Sequence, residues 1–120
     1  MRILIVDDSK AMRGLVRRAL RQAGFGSCDF TEACNGKEAL DQIRAEAPDL
    51  VLCDWNMPEM SGIELLTALR GEQSAVKFGF VTSEGTQEMR QAASDAGAAF
   101  FVTKPFTPEA LEQALAGVAG

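Results

Sequence analysis

The chain has 120 residues, 12 Lys and Arg against 17 Asp and Glu, a formal net charge of −5 and no histidine. That length fits one domain with a core of its own, and a composition 47% hydrophobic and 24% charged excludes wholesale disorder. The acidic balance argues against a nucleic-acid surface, and the missing histidine excludes a Ser-His-Asp triad, a His-ligated zinc and a phosphohistidine carrier.

The first strand is predicted over residues 3–6, four apolar residues running straight into Asp7-Asp8. Four residues cannot form a signal-peptide core or a membrane span. A helix follows, with Met12, Leu15, Val16, Ala19, Leu20 and Ala23 at helical spacing, Ser9 as N-cap and Gly24 as stop. Gly14 inside it costs about 1 kcal/mol relative to Ala, and close packing against a neighbour would account for it. A weaker strand is expected over residues 30–33. The second helix starts after Asn35-Gly36, carries Ala39, Leu40 and Ile43, and ends before Pro48. The third strand covers residues 50–53, and the third helix runs from near Ser61 to Gly71 with Ile63, Leu66 and Leu69 inward. The fourth strand covers 78–81 and the fourth helix 86–96, with Gly97 as C-cap. The fifth strand covers 98–102, and the last helix begins after Pro108 with Leu111, Ala114, Leu115 and Val118.

Short runs apolar on both faces are strands covered on both faces, as in a parallel sheet. Five β-α alternations predict a three-layer α/β fold with right-handed crossovers. No linker-like composition interrupts the pattern, so residues 1–120 read as one domain. Cys28, Cys34 and Cys53 are odd in number and lack metal-ligand spacing. They read as reduced, small and mostly buried, which fits a cytoplasmic protein.

In open α/β sheets the ligand site lies beyond the carboxyl ends of the strands. Strand one ends in Asp7-Asp8, strand three in Asp54, strand four in Thr82-Ser83 and strand five in Thr103-Lys104. A parallel sheet brings these ends to one edge. Three carboxylates brought together repel unless a proton or a cation intervenes. Mg²⁺, or Mn²⁺ in its place, suits such an oxygen-rich set with water and phosphate oxygens completing the shell. Lys104 then serves as a point charge and Thr82 as a hydroxyl donor, the parts of a phosphoryl-transfer site with an acidic nucleophile.

Asp7-Asp8, Asp54, Thr82 and Lys104-Pro105 resemble the receiver domain of two-component response regulators over the whole chain. The stretch from Asp54 through Trp55, Asn56, Met57, Pro58, Glu59, Met60 and Ser61 to Gly62 resembles that family's phosphorylation loop and is most similar to the single-domain chemotaxis type. The resemblance implies a flavodoxin-like (βα)5 fold with strand order 2-1-3-4-5. It implies that Asp54 takes a phosphoryl group from a phosphohistidine on a histidine kinase or phosphotransfer protein. It implies that Asp8, Asp54 and the backbone carbonyl of Asn56 ligate Mg²⁺, that Asp7 holds a metal water, and that Lys104 pairs with a phosphoryl oxygen. Thr82 and Phe101 become the switch residues, and the Lys104–Pro105 bond is expected to be cis. Asn56 and Glu84 would flank the path of the hydrolytic water and tune phosphoryl lifetime, here toward a short one. Output would pass through the surface of the fourth helix, fifth strand and fifth helix to an output protein of unassigned identity. No nucleic acid or membrane is engaged directly. A monomer is expected, with phosphorylation-linked dimerisation as the alternative.

Phe101 stands where flagellar-switch binders often carry Tyr, and the last helix has Glu109 and Glu112 but no Lys or Arg. Chemotaxis is therefore one pathway among several. Residues 1–27 carry a net charge of +4 and the remainder −9. Arg13, Arg17 and Arg21 share one helix face and read either as a solvated face or as a docking stripe for an acidic partner. The competing functions are a receiver cut from a larger regulator, a D-x-D phosphohydrolase and a flavin module. The second Asp of the D-x-D motif is replaced here by Asn56, and Asp7-Asp8 would repel a flavin phosphate.

Overall fold

The computed structural model describes residues 1–118. The elements alternate as expected: β1 (Arg2–Val6), α1 (Lys10–Leu20), β2 (Asp29–Ala33), α2 (Gly36–Ala45), β3 (Leu50–Cys53), α3 (Gly62–Gly71), β4 (Lys77–Thr82), α4 (Gln87–Asp95), β5 (Phe100–Thr103) and α5 (Pro108–Leu115). All pairings are parallel, in the order β2-β1-β3-β4-β5. This is the flavodoxin-like order.

Strand alternation sorts the apolar runs into two cores. Ile3, Ile5, Leu50, Leu52, Val81 and Val102 face α1 and α5, where Val16, Leu20, Leu111 and Leu115 meet them. Leu4, Val6, Val51, Cys53, Phe78 and Phe80 face the other way, against Ala39, Leu40, Ile43, Leu65, Leu66, Leu69 and Ala93. Burying a large apolar side chain stabilises by roughly 1.5–3 kcal/mol. The central strands, buried on both faces, hold the sheet rigid beneath its carboxyl edge. β2 buries only Ala33, as an edge strand can.

Each of the five α-helices has a side-chain N-cap: Ser9, Asn35, Ser61, Thr86 and Thr107 each accept a backbone N–H of the first turn. Ser61 and Glu64 form a full capping box. Asn35 is thus a cap rather than part of a turn. α1 does not stop cleanly. It widens into a π-type turn over Arg21–Phe25, which Gly24 at φ 104° brings to an end. α5 closes at Leu115, so Val118 packs beyond the helix rather than within it.

Two expectations are corrected. Gly14 is exposed, and a Cβ there would meet nothing within 4 Å; nothing in the structure explains this glycine. Of the cysteines only Cys53 is buried. Cys28 is half-buried and Cys34 exposed, because Cys34 follows the edge strand rather than a central one. Its thiol donates to Glu38 Oε2 at 3.0 Å, which pushes its pKa up.

Candidate functional site

The strand ends converge as the topology requires. Asp7, Asp8 and Asp54 each offer a carboxylate oxygen, and these lie within 4.8 Å of one another. Lys104 Nζ donates to Asp7 Oδ2 at 3.0 Å and stands 3.6 Å from Asp54 Oδ1. Asp7 is buried, with Ser9 N–H donating to its Oδ1 at 2.9 Å. Asp8 is exposed. Trp55 N–H donates to Asp54 Oδ1 at 2.9 Å.

The cluster is unbalanced. Burial pushes the Asp54 carboxyl above its ordinary value. The Lys104 ammonium opposes this, Asp7 adds to it, the Trp55 N–H opposes and Asp8 adds. Three carboxylates, only two of them beside an ammonium, form a hard-oxygen donor set, and a divalent cation fits it by charge and chemistry. Beside it, burial pushes the Cys53 thiol well above its ordinary value, and the thiol donates to the Asp54 carbonyl at 3.1 Å. Cys53 is therefore packing rather than a competing nucleophile.

The loop after β3 is shaped by a glycine. Gly62 N–H donates to the Trp55 carbonyl at 2.8 Å. A Cβ at Gly62 would stand 2.3 Å from the Asp54 carbonyl oxygen, so only glycine lets α3 start this close to Asp54. Spacing does not signal this contact. The same holds for Gly79, whose Cβ would enter the Phe100 ring at 2.2 Å.

Thr82 ends β4 fully buried, its Oγ1 accepting from Glu84 N–H at 3.4 Å. Phe101 is half-buried, its ring centroid 6.0 Å from that of Phe80 and 6.3 Å from that of Trp55. The Arg90 guanidinium lies 4.7 Å from the Phe101 ring centre, a cation–π contact without a sequence signal. Asn56 Nδ2 donates to Glu84 Oε1 at 3.2 Å, so two loop residues 28 positions apart meet at the mouth of the site. The Lys104–Pro105 peptide is cis.

Arg13 and Arg17 of the stripe are half-buried and paired, while Arg21 is exposed. Arg13 Nε donates to Glu32 Oε1 at 2.8 Å, and Arg17 Nη2 pairs with Glu32 Oε2 at 2.5 Å. Arg17 and Arg21 also lie over the Phe30 ring, each 5.7 Å from its centre. Phe30 and Glu32 are two apart on β2 and so share a face, and α1 lays its arginines on that face. Elsewhere α1 exposes an apolar surface. Leu15 is 50% exposed and, with Met12, Arg18, Gln22, Pro105 and Phe106, lines a groove of about 270 Å³ between α1 and the start of α5.

A doubly wound parallel sheet with an acidic trio, an ammonium and a buried threonine at its switch edge defines a phospho-signalling domain rather than a classical enzyme. Residues 3–116 match the response regulator receiver domain, and the chain belongs to that family. It is 37% identical to the chemotaxis protein CheY1 of Helicobacter pylori, with 100% of this chain and 98% of that protein covered. It is also 37% identical to the CheY homolog of Campylobacter jejuni, covering 100% of this chain and 93% of that one. Among solved structures, Vibrio cholerae CheY4 matches with a TM-score of 0.85 at 33% identity, covering 98% of this chain and 97% of that one. The chain is thus a phosphorylation-activated signalling switch of the two-component type. Among the described residues no helix is long and apolar enough to cross a membrane.

Proposed function

We propose that Asp54 is the phospho-acceptor and that Asp8, Asp54 and the Asn56 carbonyl hold Mg²⁺, or Mn²⁺ in its place, with Asp7 reaching it through water. The observation that carries this is three carboxylates within 4.8 Å of one another, with one ammonium beside two of them. When bound, the cation supplies the charge neutralisation that lets an anionic phosphoryl group approach an anionic acceptor. An Asp54 carboxylate oxygen attacks phosphorus. The P–N bond to the donor imidazole breaks, the imidazole keeps the electron pair and later takes a proton, and an O–P bond forms. Lys104, already within reach of Asp54, moves to a phosphoryl oxygen. Thr82 donates its hydroxyl to another, and Phe101 follows it inward, leaving the Arg90 contact and altering the face of α4, β5 and α5. Asn56 and Glu84, bonded to each other, gate the water that later hydrolyses the acyl phosphate.

The donor is a histidine kinase or a histidine phosphotransfer protein, which docks on the apolar groove around Leu15 rather than on the Arg13-Arg17-Arg21 face. The reading includes a cytoplasmic location and an output protein met at the α4-β5-α5 face. Chemotaxis is supported as the pathway by the chemotaxis proteins that the chain resembles. Incubation with acetyl phosphate and Mg²⁺ should add one phosphoryl group by intact-mass spectrometry. None should be added with excess EDTA or in Asp54→Asn. Undiminished labelling of Asp54→Asn would overturn the assignment.

A further inference from the structure

Arg13 does more than pack α1 against β2. Its Nη1 donates to the backbone carbonyl of Asp7 at 2.7 Å, while its Nε is held by Glu32 Oε1 at 2.8 Å. The Arg13 side chain is only 14% exposed, so both charge-assisted bonds are shielded from competing water. Asp7 is then fixed at every polar atom. Its N–H donates to Ala33 O at 3.1 Å, Oδ1 accepts from Ser9 N–H, Oδ2 accepts from Lys104 and its carbonyl accepts from Arg13.

The Asp7 carbonyl belongs to the same planar peptide as the Asp8 N–H. Fixing that carbonyl fixes the plane from which the Asp8 side chain departs. Asp8 is exposed, so its aim toward Asp54 depends on its backbone. We propose that Arg13, held in place by Glu32, is a positioning residue that presets the Asp7–Asp8 peptide for divalent-cation binding. The inference rests on the reading that the acidic trio binds Mg²⁺.

Arginine suits the task because one rigid fork reaches two acceptors in different directions, which a lysine ammonium on a flexible stem does not reproduce. Glu32 is shared between two guanidinium groups, and Arg17 Nε is buried without a hydrogen-bond partner. The geometry thus gives Arg13 Nε and Nη1 a partner each and leaves Arg17 Nε with none.

Charge and geometry are separable by experiment. Arg13→Lys keeps the charge and loses the fork. Glu32→Gln keeps the shape and loosens the anchor. Arg17→Lys alters the same stripe without touching Asp7. Mg²⁺ titration followed by Trp55 fluorescence and by calorimetry should show Arg13→Lys and Glu32→Gln weakened by about tenfold, the lower end for partners behind metal ligands. Arg17→Lys should stay within about twofold of wild type. The metal-free melting temperature separates this loss from a general loss of fold. Equal Mg²⁺ affinity in Arg13→Lys and wild type overturns the inference, as does an equal loss in Arg17→Lys. If wild type itself binds no Mg²⁺, both this inference and the metal reading fall; if it binds and Arg13→Lys binds equally, only this one does.

Discussion

The two edges of the sheet carry the same kinds of residue and treat them oppositely. At the amino edge, Arg2 N–H donates to Asp49 Oδ2 at 2.7 Å, and Asp49 N–H returns a bond to the Arg2 carbonyl at 2.8 Å. The Arg2 guanidinium meets Glu46 at 2.5 Å, and Lys77 donates to the Val118 carbonyl at 2.5 Å. Charges there have partners of their own. At the carboxyl edge, Asp7, Asp8 and Asp54 cluster, and Lys104 reaches only Asp7 and Asp54. One edge is closed electrostatically, and the other is left wanting a cation. Charged residues at strand ends are therefore not informative by type; the local imbalance marks the working edge.

The sharpest break in this comparison is metal loading. Mg²⁺ at a hundred times its dissociation constant should stabilise the fold by about 2.7 kcal/mol, a rise in melting temperature of about 10 °C for a domain of this size. Asp8→Asn should lose most of that rise and Asp49→Asn should keep it. Equal rises in both variants, read by thermal shift, would erase the distinction between the edges.

A smaller effect should appear without metal. The Asp54 carboxyl is pushed up, so the folded protein holds that proton more firmly than the unfolded chain. Its contribution to stability is present at low pH and is lost as pH rises through its folded-state titration. Asp54→Asn should therefore melt higher than wild type at pH 7. Asp49→Asn, at the closed edge, should melt lower. The gap between wild type and Asp54→Asn should narrow on acidification. A gap that does not change with pH would show that the Asp54 charge is not its cause.

Gly14 lies on the exposed side of α1, in contact with neither edge. Gly14→Ala should stabilise by about 0.5–1 kcal/mol in chemical denaturation and leave Mg²⁺ affinity unchanged. The smallest effect belongs to the exposed Arg2–Glu46 pair. Glu46→Gln should cost less than about 1 kcal/mol, vanishing in high salt.

Much of this was legible because it is local. The runs at residues 3–6, 50–53 and 78–81 are apolar on both faces, Ser9 and Thr86 start their helices by side-chain hydrogen bonds, and Gly97 follows its helix at a φ of 91° that suits glycine. The site was legible because a parallel sheet sends Asp7, Asp8, Asp54, Thr82 and Lys104 to one edge. What escaped depends on partners distant in sequence. Arg13 and Arg17 look like a free stripe until β2 places Glu32 and Phe30 beneath them. Gly79 shows its need for a missing side chain only when Phe100 packs across it, and Arg90 finds Phe101 only through the packing of α4 on β5. Cys34 follows an edge strand, which the weak run at 30–33 hinted at but did not prove.

The span of the site along the chain has one more consequence. Its first carboxylate is residue 7 and its ammonium residue 104. A chain growing from its amino end presents Asp7, Asp8 and Asp54 long before Lys104 emerges, and a chain cut ahead of residue 104 never completes the set. Until then Asp7 and Asp54 lack the Lys104 ammonium and β4 lacks its outer neighbour. On the proposed reading, a molecule clipped ahead of residue 104 keeps its acidic trio but lacks the ammonium that pairs with Asp7 and lies beside Asp54.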